Sequence, residues 1–281
     1  MKKLSIIATL LLLIGIVGVL FTFNSENYQS KVLEEKVIDT NDFQHINMES
    51  NNGNITILPT DENRATVTLI GNDNSAQLIT NVEEDTLQIK TNTKGAKLFS
   101  FGFPSKNASV EIYLPEKEYE RIYATSKNGK ITMQDIVASD IQLETNNGKH
   151  QVDKLQSETV SLQSNNGKIE ANNIKANTVE IEIDNGKADL KQIEADLTAT
   201  SSNGKISLET VHLNHSIDLR TNNGKIEVKT ENKPDNVTFD LRTQNGKVTV
   251  FGEKNWDTKI GDGKHLIKLA AENGSISITH K

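Results

Sequence analysis

Three segments of the chain, IQLETNNGKH at 141–150, VSLQSNNGKI at 160–169 and VEIEIDNGKA at 179–188, follow one another at intervals of 19 residues. In each segment apolar residues alternate with polar ones and lead into an Asn-Gly pair and a lysine. Alternation with a period of two predicts a β-strand that has one buried and one solvent-facing side. A regular period of this length predicts a repeat fold, in which each repeat buries its apolar side against its neighbours.

The Asn-Gly pair marks the repeats along most of the chain. From Gly129 onward the glycines follow one another at spacings of 19, 19, 19, 18, 20, 22 and 28 residues, and Gly53 precedes Gly129 by four times 19. Both residue types tolerate a positive φ angle, so the pair predicts a tight turn. The asparagines could also hydrogen-bond to one another along the stack, and the sequence leaves this open. The predicted turn residues are Asn128, Gly129, Asn147, Gly148, Asn166, Gly167, Asn185, Gly186, Asn203, Gly204, Asn223, Gly224, Asn245, Gly246, Asn273 and Gly274.

Apolar residues recur at fixed distances from these glycines. Seven and five positions before the glycine stand pairs such as Ile141 and Leu143, and two and four positions after it stand pairs such as Ile169 and Ala171. A further column, seven positions after the glycine, predicts a second corner and contains Ile136, Leu155, Ile174, Ile193 and Val211. Asn-Gly turns between alternating strands are also typical of antiparallel hairpins, but a propeller blade needs about 40 residues. We therefore predict an all-β solenoid or β-roll of about 19-residue coils.

The first residues differ from the rest in composition. Lys2 and Lys3 precede an uncharged apolar run, Leu4–Phe23, which is long enough to cross a membrane as a helix. We predict one transmembrane helix that anchors the chain with its lysines in the cytoplasm and the rest outside the cell; the alternative is a cleaved signal peptide and a secreted protein.

The predicted domain organisation follows from these two patterns. Residues 1–24 form the anchor, residues 25–36 a stalk, and residues 37–281 an extracellular domain. Within this domain we expect irregular coils at 37–120, with a protruding loop at 93–106, and regular coils at 121–281.

The composition limits the chemistry that the chain can perform. The formal net charge is −7, which argues against binding to nucleic acid because the phosphates would repel the average surface. There is no cysteine, so disulfides, thiolate metal sites and a cysteine-linked lipid anchor are excluded. We expect no cofactor.

A lysine follows the turn glycine in seven successive repeats. If the repeats stack, these lysines form a cationic ridge that could bind a polyanion such as a phosphate polymer of the cell wall or an anionic lipid surface. The alternative, which the overall acidity favours, is that the lysines only keep the turn edge soluble. The ridge would consist of Lys130, Lys149, Lys168, Lys187, Lys205, Lys225 and Lys247.

Other polar residues suggest chemistry only weakly. We predict that Glu170 and Asp189 lie side by side, as do Asp218 and Asp240, and Arg220 and Arg242. Neighbouring carboxylates of this kind occur in glycosidases, but the sequence shows no cleft for them, and a solvated sheet surface with neighbouring opposite charges is the favoured explanation. The six histidines of the chain include one close pair, His212 and His215, whose spacing does not by itself build a metal site. We therefore predict no catalytic and no metal-binding residue.

The chain resembles the DUF4097 family of putative adhesins from Gram-positive bacteria, with its toast-rack β-repeats. The resemblance is carried by FQHI at 43–46, VEIYLP at 110–115, the repeated Asn-Gly-Lys-Ile and NGSISI at 273–278. It implies a right-handed β-roll or β-helix at the cell envelope and brings no catalytic residues. The resulting hypothesis is a non-enzymatic, membrane-anchored envelope protein that binds a cell-wall polymer or an envelope protein. An envelope-stress sensor that contacts a membrane signalling partner is the alternative, and a polysaccharide-active enzyme is the least favoured.

Overall fold

The computed structural model describes residues 30–72, 76–93 and 108–280. Contacts divide the chain into two units, Met1–Lys31 and Val32–Lys281, and the first lies almost entirely outside the described residues. The predicted membrane segment Leu4–Phe23 and most of the predicted loop at 93–106 also fall outside them. Over the described ranges, no helix is long and apolar enough to cross a membrane.

All regular structure in the described ranges is β-strand, and the strands belong to one open 16-stranded sheet. Two strands of 39 and 52 residues are unusually long because they continue through several repeats without a break. In chain order the strands are β1 (Lys31–Val37), β2 (His45–Asn52), β3 (Ile55–Thr60), β4 (Thr66–Gly71), β5 (Ala76–Glu83), β6 (Thr86–Thr93), β7 (Ser109–Pro115), β8 (Glu118–Gln156), β9 (Thr159–Thr210), β10 (Ile217–Asn223), β11 (Ile226–Thr230), β12 (Val237–Asn245), β13 (Val248–Val250), β14 (Lys259–Ile260), β15 (His265–Asn273) and β16 (Ile276–His280).

The core consists of the inward positions that the alternation predicts. Ile141, Leu143, Ile169 and Ala171 are all 0% exposed, and their outward neighbours are not buried. Each fully buried leucine or isoleucine stabilises the fold by about 1.5–3 kcal/mol, so a narrow core repeated many times is sufficient without large aromatic residues.

The predicted second corner is also present. Ile136, Leu155, Ile174 and Ile193 are buried there, whereas Val211 is only half-buried and Leu213, two residues later, is buried instead. The residue before each of the four buried isoleucines and leucines has a positive φ of 52–54°, which turns the chain; these residues are Asp135, Lys154, Asn173 and Gln192.

Equivalent residues of neighbouring repeats lie beside one another in parallel register. In β8 and β9, Leu143 pairs with Leu162 and Asn147 with Asn166, a shift of one whole repeat. Residues before the glycine pair with residues before the next glycine, and residues after it pair in the same way, as between β9 and β11. We call each repeat a rung and name it by its turn glycine.

The order of the rungs differs from the order in the sequence at both ends. The last rung, Gly274, lies between the Gly224 and Gly246 rungs, because Leu269 pairs with Leu219 on one side and with Leu241 on the other. The first rung, Gly53, pairs with the Gly129 rung on one side and with β6 and β7 on the other. The irregular stretch at 60–120 therefore does not lie between the Gly53 and Gly129 rungs. All rungs have the same alternation of apolar and polar residues, so the sequence pattern does not specify which rung a terminal rung pairs with.

Antiparallel strands border the stack at its ends. At one end β4 pairs with β7, β5 pairs with β6, and β1 pairs with β4. Residues 31–36, which the sequence analysis assigned to a stalk, lie in β1, where Leu33 packs against the core. At the other end the two-residue strand β14 pairs with Val237 and Thr238 of β12.

Candidate functional site: the turn edge and the charge ladder

The turn glycines are required by the close approach of successive rungs. At Gly167 a β-carbon would lie 1.7 Å from the carbonyl oxygen of Gly148, and at Gly148 it would lie 1.8 Å from that of Gly129. No side chain can be accommodated at such distances. The backbone at Gly167 also has a φ of +151°, which a residue with a β-carbon rarely adopts. Glycine in this turn is therefore required both by the close stacking of the rungs and by the positive φ that the sequence predicts.

The turn asparagines have a different role from the one that their backbone preference suggests. In the described ranges the non-glycine residues with positive φ are Glu84, Phe251 and the four corner residues, so no turn asparagine is among them. The prediction that Asn is retained for a positive φ is wrong. The side chains explain the residue instead, because Nδ2 of each asparagine donates a hydrogen bond to Oδ1 of the asparagine in the neighbouring rung.

These hydrogen bonds join the asparagine side chains into one column along the turn edge. The column follows the order of the rungs in the structure, so Asn273 donates to Asn223 and Asn245 donates to Asn273. The amide geometry fits the rung spacing of about 4.8 Å, as in other stacked strands. The donor–acceptor distances are 2.7 Å for Asn128 to Asn52, 2.9 Å for Asn147 to Asn128, 3.0 Å for Asn166 to Asn147, 3.1 Å for Asn185 to Asn166, 2.9 Å for Asn203 to Asn185, 3.0 Å for Asn223 to Asn203, 3.0 Å for Asn273 to Asn223 and 2.9 Å for Asn245 to Asn273.

Carboxylates lie between the central lysines of the predicted ridge. Glu170 accepts from Lys149 and from Lys168, each at 2.6 Å. Asp189 accepts from Lys168 at 2.9 Å and from Lys187 at 2.7 Å. Lysines and carboxylates therefore alternate along this face, and we call the set of five residues the charge ladder.

A second group with the same arrangement follows further along the stack. Glu227 lies between Lys205 and Lys225 and forms an ion pair with each, the latter at 2.5 Å. Lys130 donates to the side-chain oxygen of Gln151 at 3.2 Å, and Lys247 is exposed on the Gly246 rung. The structure thus brings these lysines to one edge, and five of them form ion pairs with carboxylates.

The ion pairs shift the pKa values of Lys168, Glu170, Asp189 and Glu227. Hydrogen bonds from Lys149 and Lys168 lower the pKa of Glu170, and those from Lys205 and Lys225 lower the pKa of Glu227 to about 2. For Asp189, partial burial raises the pKa, but hydrogen bonds from Lys187 and Lys168 outweigh it and the net shift is downward. The hydrogen bond to Glu170 raises the pKa of Lys168. All of these groups are therefore charged at neutral pH and largely neutralise one another.

The carboxylates that could resemble a glycosidase pair are either bound to a shared lysine or separated by another strand. Lys168 bridges Glu170 and Asp189. Asp218 and Asp240 are not neighbours, because Lys268 of the inserted last rung pairs with both positions, and Arg220 and Arg242 have Ala270 between them. The prediction that Asp218 lies beside Asp240, and Arg220 beside Arg242, is therefore wrong. Each aspartate instead binds the arginine two residues later in its own strand, Asp218 at 2.5 and 2.8 Å and Asp240 at 2.7 and 3.1 Å.

His150 and His45 lie in different surroundings. His150 is 0% exposed in the core, where Nε2 lies 2.9 Å from the carbonyl oxygen of Gln163 and Nδ1 has no partner. Burial lowers the pKa of His150 to about 4, so the ring is neutral. His45 lies on the surface between Asp85 and Glu120, at 3.4 and 3.3 Å. In the part of the chain that the structure describes, no group of three or more histidine or acidic side chains could hold a metal ion.

An open groove of about 450 Å³ crosses the outer face that lies before the turns. Its polar walls include Glu180, Asp196, Asp218 and Lys268. The negative charge of Asp218 is balanced by a salt bridge with Arg220 and by Lys268 at 3.5 Å. The groove also has apolar walls at Val179, Leu197, Ile217 and Leu266, so its lining is mixed.

Comparison with known proteins places this arrangement in a family. Residues 43–279 match the family described as Toastrack DUF4097, which is nearly the whole of the second unit. The chain belongs to the Toastrack family. The matched region contains every turn glycine from Gly53 to Gly274 and all the strands from β2 to β15. None of the curated proteins matches the chain.

The chain is also similar to solved structures at low sequence identity. A crystal structure of a putative adhesin from Bacteroides fragilis is 16% identical, with a TM-score of 0.54, and the alignment covers 90% of this chain and 98% of that one. A putative lipid binding protein from Parabacteroides distasonis is 15% identical, with a TM-score of 0.46 and coverage of 90% and 97%. A putative cell adhesion protein from Clostridium sporogenes is 15% identical, with a TM-score of 0.31 and coverage of 90% and 100%.

The sequence analysis identified the lysines but missed their partners. Glu170, Asp189 and Glu227 each stand three positions after a turn glycine, and the lysines stand one position after it. Both positions face outward in an alternating strand, so a comparison of the two columns could have predicted the ion pairs.

Proposed function

We propose that this Toastrack protein is a non-enzymatic envelope protein, anchored in the cell membrane by Leu4–Phe23, whose repeat domain is displayed outside the cell for adhesion. In this proposal the rungs form one right-handed β-solenoid, residues 1–3 face the cytoplasm, and the partner is a polymer or protein of the envelope or a second cell surface.

The observation that supports this proposal best is that many polar side chains on the outer faces are paired with side chains of neighbouring rungs. Asn166 donates to Asn147 at 3.0 Å in the asparagine column, and Lys168 forms an ion pair with Asp189 at 2.9 Å in the charge ladder. A domain held in this way is stiff and needs no disulfide, which suits display outside the cell in a chain without cysteine. The carboxylates that resemble those of glycosidases in the sequence, Glu170, Asp189, Asp218 and Asp240, are bound to lysines and arginines.

The order of the strands is compatible with the same proposal. In this order β1, the first strand of the chain, is at one end of the sheet and β14 is at the other. If Leu4–Phe23 crosses the membrane, the repeat domain that follows it in the chain is displayed outside the cell. The resemblance of the fold to the Bacteroides fragilis protein is compatible with adhesion, although at 16% identity it indicates the fold alone.

The proposal can be tested in the source cell by deletion and complementation. The deletion strain receives either the full chain or a chain in which residues 1–24 are replaced by a cleavable secretion signal. We expect protease added to intact cells to remove the domain of the full chain, and adherence to be restored by the anchored form alone. A domain that is protected from protease, or adherence that does not change on deletion, would contradict the proposal.

A further inference from the structure

The Gly246 rung lies at one end of the stack, and its turn is less covered than the others. Gly246 is exposed, whereas Gly53, the first turn glycine of the chain, is buried. Leu241 is half-buried, whereas its partner Leu269 in the adjacent rung is 0% exposed. On the outer side of this rung, β14 pairs with the first two residues of β12, at the opposite end of the strand from the turn. Among the described residues, the turn of the Gly246 rung therefore has a neighbouring rung on one side only.

The backbone N–H of a turn glycine is normally bound to the next rung. The donor–acceptor distances from the glycine nitrogen to the carbonyl oxygen of the next asparagine are 2.9 Å for Gly53 to Asn128, 3.0 Å for Gly224 to Asn273 and 2.9 Å for Gly274 to Asn245. In the described part of the chain, no oxygen atom accepts the N–H of Gly246. The nitrogen that follows Asn245 is therefore not restrained in the way that the other glycine nitrogens are.

The side chain of Asn245 is also held on one side only. Its Nδ2 donates to Asn273 at 2.9 Å, but over the described ranges no asparagine donates to its Oδ1. Asn273, in contrast, accepts from Asn245 and donates to Asn223. The amide of Asn245 can therefore turn away from the column by breaking one hydrogen bond between asparagines, whereas the amides inside the column must break two.

An asparagine followed by glycine can react with its own backbone, since glycine has no β-carbon to block the approach, and asparagine is a thermally labile residue. The glycine nitrogen forms a bond to Cγ of the asparagine, the bond from Cγ to Nδ2 breaks, and the proton of the nitrogen leaves with the amide as ammonia. Water then opens the resulting cyclic imide at either carbonyl, which gives aspartate or isoaspartate. The reaction needs water alone and exchanges an amide for a carboxylate.

We propose that Asn245 is a site of spontaneous deamidation, and that stacking protects the other turn asparagines from the same reaction. Asn245 must turn its Cγ towards the nitrogen of Gly246, and it breaks hydrogen bonds to one neighbouring rung when it does so. The same rotation at Asn166 breaks hydrogen bonds to both Asn147 and Asn185. The reaction requires no partner and takes place whether or not the domain acts in adhesion.

The product of this reaction exposes the next rung. A carboxylate at position 245 cannot donate to Oδ1 of Asn273. Isoaspartate also routes the backbone through the side-chain carbon, so the carbonyl oxygen that accepts from Gly274 is displaced. Asn273 then becomes the end of the column and the next residue to react. The order of conversion is Asn245, Asn273 and then Asn223, which is the order of the stack and not that of the sequence.

Peptide mapping by mass spectrometry, after incubation of the full-length chain in a mildly alkaline buffer, measures each site separately. We expect Asn245 to convert at least about tenfold faster than Asn166 in the folded chain, because its rung opens more easily. In the same buffer with enough urea to unfold the chain, we expect the two sites to convert at similar rates, because no rung protects another. A ratio of the two rates that is no larger in the folded chain than in urea would overturn the proposal.

The variant Asn245→Gln tests the spread along the column, because glutamine forms the corresponding cyclic imide much more slowly than asparagine. We expect Asn273 to convert several times more slowly in this variant than in the natural chain. Asn166→Gln is the matched control within the column and should not slow the conversion of Asn273. Conversion of Asn273 ahead of Asn245 in the natural chain, or an unchanged rate at Asn273 in Asn245→Gln, would overturn the proposed order.

Discussion

At the residue scale, the turn glycines are the positions where the smallest change has the clearest consequence. Gly167→Ala adds one carbon that would lie 1.7 Å from the carbonyl oxygen of Gly148, so the two rungs must move apart. We expect a loss of about 1–3 kcal/mol in the free energy of unfolding, measured by urea denaturation. Ser161→Ala, on the outer face of the same rung, is the control and should lose less than about 0.5 kcal/mol. A Gly167→Ala protein as stable as the control would show that the rungs are less tightly stacked.

His150 gives the fold a pH dependence that can be assigned to one residue. Burial lowers its pKa to about 4 in the folded chain, against 6.5 for an unburied histidine. The unfolded chain therefore binds the proton first, and stability falls as the pH drops from about 6.5 to about 4, by about 3 kcal/mol in total. The carboxylates with lowered pKa values, such as Glu227, lose their stabilising effect only below their unfolded pKa of about 4.5.

The matching variant is His150→Ile, because isoleucine occupies the same column at Ile131 and Ile169. We expect this variant to lose little stability between about pH 7.5 and pH 4.5 in urea denaturation, whereas the natural chain loses most of the histidine contribution. The same pH profile for both proteins would show that His150 is not the group responsible.

At the element scale, the alternation in each strand predicts which side chains face the core but not which partners the outer ones choose. Ile141, Leu143 and Ile169 are buried where the pattern places them. The ion pairs of Lys168 were not predicted, because a lysine at this position can be solvated or paired, depending on the side chain that the neighbouring rung places beside it. The hydrogen bonds of the asparagine column also depend on the neighbouring rung, so the sequence left them as one of two alternatives.

The charge ladder predicts how this face responds to polyanions. The variant with Glu170→Gln, Asp189→Asn and Glu227→Gln leaves Lys149, Lys168, Lys187, Lys205 and Lys225 without carboxylate partners. We expect it to bind immobilised polyphosphate about tenfold more tightly than the natural chain at low ionic strength, with the difference lost at high salt.

The control for this experiment changes the net charge equally at a distance from the lysines, by Glu116→Gln, Glu158→Gln and Glu180→Gln, all of which are exposed. If both variants gain the same affinity, net charge alone explains the result and the ladder has no local effect.

At the scale of the whole molecule, the repeat spacing predicts a stack but not the order of its ends. The Gly129 to Gly224 rungs follow the sequence order, because connections of about 19 residues reach only the adjacent rung. The Gly246 and Gly274 rungs are joined by a longer excursion, which allows Gly274 to enter between Gly224 and Gly246. At the other end, Gly53 takes the equivalent position beside Gly129. The Gly274 rung is thus held between two other rungs, which protects it from fraying.

The parallel register and the inserted last rung can be tested together by disulfide trapping within one chain. Ser277 pairs with Thr249 on one side and with Glu227 on the other, so Thr249 and Glu227 are separated by a full strand. In-register parallel neighbours lie about 4.8 Å apart, within the range of a disulfide, and residues two strands apart do not. We expect Ser277→Cys with Thr249→Cys to form an intramolecular disulfide, and Glu227→Cys with Thr249→Cys to stay reduced. The opposite result would show that the rungs stack in sequence order and would contradict this structure.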